Sequence, residues 1–365
     1  MPIVYPKQSI GHFGLEMSLS YAMLNRKYGF DFGERYHLDI ACRAKTGMEI
    51  DRAVFKDFGK IGLGFPNPIP RICIAPFGHK FVGAMYGCEC KYAPDAEPEL
   101  QTTYSIDTNS LLQRWDADRF ERAQPVRTII SQLSHLKELY TAYPATYDSL
   151  PHSRYMSSQQ NLGSVINNAF SLIGERLFVD YINNPEFVRT FYRNLTDLML
   201  LSMNVFQKID GWPLKEVFLG NCAVSMISPD QYMKINYQCD RQIMGYAKYI
   251  GAKFMVHQDS DVNAHLANYA NFDYLHFLDL GQNTNFEQVA KIFPNVDVSC
   301  ILLPSWLQST SVGDMKDDLD RLITVGRLFR SFSLSLSDID FETSKEKLFS
   351  FYENIRKCIV DKKGL

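Results

Sequence analysis

The sequence of 365 residues has no run of about 18 uninterrupted apolar residues, and its opening stretch, MPIVYPKQSIGHFG, lacks a cationic segment followed by an apolar one. Those absences exclude a spanning helix and a secretory leader as expectations, and the reading that follows is a cytoplasmic protein with no membrane partner. Charge of one sign is also missing. The 38 Lys and Arg and the 41 Asp and Glu are both spread along the chain. No basic stripe is present to neutralise a run of phosphates, so nucleic acid is not expected as a partner. The eight cysteines are scattered, without a C-x-x-C pair, so reduced thiols are expected. Cys88 and Cys90 form a C-x-C with no second knuckle beside it, which reads as two small apolar residues rather than a zinc knuckle. Also absent are the Gly-rich loops of nucleotide-binding sheets, the G-x-S-x-G elbow of serine hydrolases and the H-E-x-x-H helix of metalloproteases.

What is present is a large apolar fraction, 46%, against 22% charged residues, enough for a sizeable core. The second half alternates short β-rich runs with helical stretches, the pattern of βαβ units around a parallel sheet. The runs are Glu216 to Cys222, Lys253 to His257, Tyr274 to Leu280, Val296 to Leu303 and Ser331 to Ser337. Ser228 and Pro229 read as the cap and first residue of a helix that Gly251 stops, and a shorter one follows over Val262 to Ala270. Two further helices are expected near Asn285 to Ile292 and Gly313 to Phe329, and a last one after Thr343 or Ser344. Without a phosphate-binding glycine run, five such units favour a (β/α)₈ TIM barrel over a doubly wound sheet.

The first half has chain enough for three more units, with strand-like runs at Arg71 to Ala75 and Lys80 to Met85. Its helices are marked by apolar stripes: Val126, Ile129, Leu133 and Leu136 in one, Phe187, Phe191, Leu195 and Leu198 in another. A single barrel domain over residues 1–365 is expected. Residues 1–63 read as a lead-in of helices and turns, and GFPNPIP (Gly64 to Pro70) as an exposed connector.

In such a barrel, polar residues just past the strands' apolar runs sit at the catalytic face. They are Asn221 and Cys222; His257, Gln258 and Asp259; Asp279; Pro304, Ser305 and Trp306; and Ser337, Asp338 and Asp340. His257 and Asp259 are two apart, so in extended chain they point the same way, as a metal half-site or an oriented acid/base pair would. One of Asp338 and Asp340 can instead support the turn that follows. Cys300 and His276 fall inside strands and read as packed, and His265 reads as a solvent-facing residue on a helix.

Four stretches carry a resemblance: LGNCAVSMISPDQYMKINYQCDRQI, GAKFMVHQDSD, FDYLHFLDLGQNTNFEQVAKIFPNVDVSCILLP and SLSDIDFETSKEKLFSFYENI. Together they resemble the uroporphyrinogen-decarboxylase-like superfamily, closest in outline to its zinc-dependent, corrinoid-linked methyltransferase branch. FVGAMYGCECKYAPDAEPE stands where that superfamily has a Gly-Ala-Glu strand and an Asp-rich loop, and Ile166 to Tyr192 matches a helix pair leading into the second half. The resemblance implies the same barrel, a small-molecule substrate, a divalent metal such as zinc and a corrinoid carried on a partner protein. A homodimer is left open. The decarboxylase's Arg-rich opening segment is missing, since Arg26, Arg35 and Arg43 stand alone on helix-like stretches.

The methyltransferase branch binds zinc through a His-x-Cys at one strand end and a Cys near the last strand. Those positions fall here on His257 and Asp259, and on Ser337 to Asp340. The resemblance thus implies metal ligation by His257, Asp259 and Asp338, catalytic roles for His257, Asp259, Asn221 and Asp340, and cofactor contacts from Trp306 and Ser305. Carboxylates in place of thiolates make a harder, more Lewis-acidic site. The expected activity is methyl transfer between a small substrate or thiol and a corrinoid partner. The alternatives are a metal-free decarboxylase or lyase in which Asn221 orients the substrate, and a non-catalytic corrinoid- or ligand-binding barrel.

Overall fold

The computed structural model describes residues 3–5, 7–10, 13–101, 106–144 and 156–360. Its centre is an eight-stranded sheet. Five of the strands are the expected ones: β6 (Glu216–Gly220), β7 (Lys253–Gln258), β8 (Leu275–Gly281), β9 (Asp297–Leu302) and β10 (Phe332–Ile339), after the short hairpin β4 (Cys90–Lys91) and β5 (Glu99–Leu100). They pair in parallel in chain order, β6 to β10. The helices between them cover the outer face. One starts at the capping box of Ser228 and Gln231, passes through a π turn at Tyr232–Asn236, continues as Tyr237–Ile250 and stops at Gly251, whose φ of 71° few other residues adopt.

The sheet continues past β10 into the N-terminal segment. There β3 (Phe13–Leu19) runs parallel to β10, and β1 (Ile3–Val4) and β2 (Gln8–Ile10) lie antiparallel to β3. The lead-in expected from helices and turns therefore supplies a central strand as well as helices at Tyr21–Tyr28 and Ile40–Phe58. The run FGLEMSL is buried at six of its seven positions, so it lacks the alternation that marks a half-buried strand.

Among the described residues the strand ladder does not close between β3 and β6. Arg71 to Ala75, expected as a strand, buries Ile72 and Ile74 but joins no ladder, and its carbonyls are taken by side chains. The buried Arg43 guanidinium donates to Cys73 O at 2.8 Å and to Ala75 O at 3.3 Å. Residues 157–163 likewise form no ladder and are tied by single bonds, Gln160 to Ile74 O and Gly220 N to Gly163 O. Lys80 to Met85, also expected as a strand, is a helix over Phe81–Met85 with all five residues buried. Short, wholly buried apolar runs have no periodicity to separate the two conformations.

The two apolar-striped helices form as read, Gln124–Thr141 and the 26-residue Pro185–Asp210, with their stripes in the core. Burying each large side chain there stabilises the fold by roughly 1.5–3 kcal/mol. The inner face of the sheet is less filled. A cavity of about 460 Å³ is lined there by Phe218, Met255, Asp279, Ser299, Ser333 and Ser335, among others. No helix of the described residues is long and apolar enough to cross a membrane.

Candidate functional site

Register brings the central pair together. Gly220 on β6, His257 on β7 and Asp279 on β8 are successive partners across the ladder, so His257 and Asp279 project from adjacent strands on the same side. The His257 Nδ1–H donates to Asp279 Oδ2 at 2.8 Å, which fixes the ring and leaves Nε2 for another partner. Just past the ends of β6 and β7 stand Cys222 and Asp259. One ligand atom each from Cys222, His257 and Asp259 lies within 4.8 Å of the other two. Burial pushes the His257 pKa down, but its hydrogen bonds to Asp279 and Cys222 outweigh that and raise it to about 10.

The backbone around these residues is pinned. Asn221 N donates to His257 O at 2.8 Å, Ser260 Oγ to Cys222 O at 3.2 Å, and Ala223 N to Asn167 Oδ1 at 2.9 Å. Gly281 at the end of β8 passes directly beneath Asp259, where an added Cβ would lie 2.3 Å from the Asp259 carbonyl oxygen. Only glycine permits that approach.

Asp338 shares this mouth. It is the one described non-glycine residue with a left-handed backbone, φ 57°, and its N–H donates to Ser18 Oγ. Its side chain is open to solvent but crowded, and that crowding, with Glu97 and Asp259 nearby, pushes its pKa up against the Ser18 hydrogen bond. His79 and Glu97 form a further pair, Nε2 to Oε2 at 3.6 Å. Burial lowers the His79 pKa, and His257 is among the groups whose charge it feels.

The other expected site residues lie elsewhere. Asn221 is completely buried behind the mouth, its side chain donating to Asp240 Oδ2 at 3.0 Å and to Tyr269 OH at 3.3 Å, so it cannot orient a substrate directly. Asp340 supports the turn after β10, accepting from Phe341 N at 2.7 Å and from Ser20 Oγ. Trp306, on the helix Pro304–Ser309, donates to Asp318 at 3.0 Å and packs edge-on against Phe351 of the last helix. Ser305 is exposed beside it. His265, read as solvent-facing, is buried, with its Nε2 donating to Ile227 O at 3.1 Å. Cys300 is fully buried, as read, and His276 is half-buried against Tyr274.

Two groups carry more weight than sequence gave them. Cys222 and Asp279 both stood among the strand-end residues, but register alone reveals that they flank His257. His79 and Glu97 come from turns in the first half, where no sequence pattern marked them.

Fold and site together define a mixed α/β protein with a thiol, an imidazole and a carboxylate converging at the C-terminal ends of parallel strands. No family model and no curated protein matches the chain. Among solved structures it is similar in fold to a methyltransferase from Methanosarcina mazei, with a TM-score of 0.60, 12% sequence identity and 93% of each chain covered.

Proposed function

We propose that the chain is a methyltransferase-like enzyme whose site holds one divalent metal through Cys222, His257 and Asp259, and which moves a methyl group between a small thiol and a corrinoid partner. The observation that carries this reading is the mutual approach of the three donor atoms within 4.8 Å, with His257 backed by Asp279. One sulfur, one nitrogen and one oxygen leave a fourth position open, the arrangement of catalytic rather than structural zinc. A carboxylate behind a ligating histidine fixes its tautomer and raises its basicity. The metal would supply Lewis acidity that makes a substrate thiol easier to deprotonate.

The chain's own residues would do the rest. Asp338, which shares the mouth with Asp259, would accept the thiol proton. A corrinoid carried by the partner would supply or take up the methyl group, and the thiol held beside Cys222, His257 and Asp259 would be its other carrier. In this reading residues 71–75 and 157–163 complete a closed eight-stranded barrel as its second and third strands.

A second reading is favoured by the same hydrogen bonds. Cys222, His257 and Asp279 form a thiol–imidazole–carboxylate relay, in which Cys222 would itself be the nucleophile without a metal. Purified protein incubated with methylcobalamin and a small thiol separates the two. The first reading predicts loss of the methyl–cobalt absorption that requires bound metal and stops on chelation. Turnover that survives chelation, or a methyl group found on Cys222, would favour the second.

A further inference from the structure

Along β7 the side chains alternate, so His257 and Asp259 face the mouth while Gln258 between them faces the opposite side. Gln258 is completely buried, and neither atom of its amide has a hydrogen-bond partner. Asn221 occupies the neighbouring place on β6. Gly220 pairs with His257, so Asn221 comes next to Gln258 in register, and its N–H bonds the His257 carbonyl. Asn221 too is fully buried, and its Oδ1 is unpartnered. Each unmade hydrogen bond of a buried amide costs about 1–3 kcal/mol. Two such residues, one beside Cys222 and one between His257 and Asp259, are an expensive way merely to fill space.

We infer that Asn221 and Gln258 are positioning residues that set Cys222 against His257 and Asp259 from behind, an inference that rests on those three being the working groups. No direct bond joins the two amides, and one buried water between them would satisfy both, accepting from the Gln258 Nε2 and donating to the Asn221 Oδ1. The Asn221 Nδ2 is anchored in turn on Asp240, whose Oδ2 also accepts from Tyr232 OH at 2.8 Å. Tyr232 opens the π turn, and a π turn inside a helix often marks a functional site. The chain of contacts links the ends of β6 and β7 to the two outer helical segments behind them. Loosening it would leave the fold intact and let Cys222 drift from His257.

Structure-only and positioning roles predict opposite patterns for Gln258→Met. Replacing a buried unpartnered amide by an apolar side chain of similar length leaves stability unchanged or raises it. If Gln258 positions the site, the same change weakens cobalt(II) binding about tenfold to a hundredfold and diminishes the thiolate-to-cobalt charge-transfer band. Asp240→Asn, which keeps shape and one acceptor, should fall between Gln258→Met and the unaltered protein. Cobalt titration with thermal unfolding of the same samples reads both quantities. Unchanged affinity and band in Gln258→Met would overturn the inference. If the unaltered protein binds no cobalt, the metal reading fails separately, and the rate of Cys222 alkylation by iodoacetamide takes over. A several-fold change in Gln258→Met supports positioning, and an unchanged rate refutes it.

Discussion

The two sides of the sheet are held in different ways. From β6 to β10 every strand is paired in parallel with the next, and that ladder alone decides which side chains meet. Between β3 and β6 no described segment pairs into the central sheet, and long polar side chains hold the chain against it instead. Arg43 reaches Cys73 and Ala75, Gln160 reaches Ile74, Gln132 reaches His37, and Asp210 receives Ser157 and Ser158. The ladder is a periodic device, so its products follow from spacing. The side-chain ties are individual, and no spacing announces them.

The sharpest way to test that contrast is to remove one tie from each side. His257→Ala should lose bound metal by more than about a hundredfold while the unfolding midpoint moves little, because a strand-end residue at the mouth contributes little packing. Arg43→Leu should do the reverse. It leaves the carbonyls of Tyr36, Cys73 and Ala75 without this donor, at about 1–3 kcal/mol for each that stays buried and unpaired, and should spare the metal site. Metal analysis and urea unfolding on both variants check this. Equal losses of metal and stability in both would erase the distinction.

A smaller effect is expected from Gly281→Ala. Its methyl group would meet the Asp259 carbonyl at 2.3 Å, so β8 and the Asp259 turn must separate. Metal affinity should fall about tenfold, with a stability cost of about 1–3 kcal/mol. Comparison by chelator competition with Gly245→Ala, where a Cβ meets nothing within 4 Å, controls for the change of residue type.

A separate effect concerns pH. Burial pushes the Asp240 carboxyl up to about 7, and the hydrogen bonds from Tyr232 and Asn221 pull it back only in part. The folded value lies above the unfolded one near ~3.9, so folding favours the protonated form. The stability this contributes is fully present below about pH 4 and is lost as pH rises through about 7. Urea midpoints from pH 4 to pH 8 should decline in the unaltered protein and flatten in Asp240→Asn. Parallel slopes would mean that Asp240 does not titrate as the burial implies.

Legibility followed the same division. The five strands of the second half, the Ser228 cap, the Gly251 stop and the strand-end positions of His257, Asp259 and Asp338 were all visible in spacing. The strand Phe13–Leu19 was not, because burial on both faces removes alternation. Asn221 was assigned to the mouth because it follows a strand, yet the chain turns at that residue and sends its side chain behind the sheet. Asp340 and Trp306 were displaced by local partners, a turn and a neighbouring helix. The weight of Cys222 was hidden by the resemblance, which placed the remaining metal ligand near the last strand and drew attention to Asp338.

Cys222 is therefore where the account is most exposed. Cobalt(II) titrated into the unaltered protein should bind at about one equivalent per chain and produce a thiolate-to-cobalt charge-transfer band, since a coordinated thiol is held deprotonated. In Cys222→Ser the band should vanish and the affinity should fall at least about tenfold, the fold being unchanged. A band of undiminished intensity in Cys222→Ser, or no binding by the unaltered protein, would contradict a site built on Cys222, His257 and Asp259.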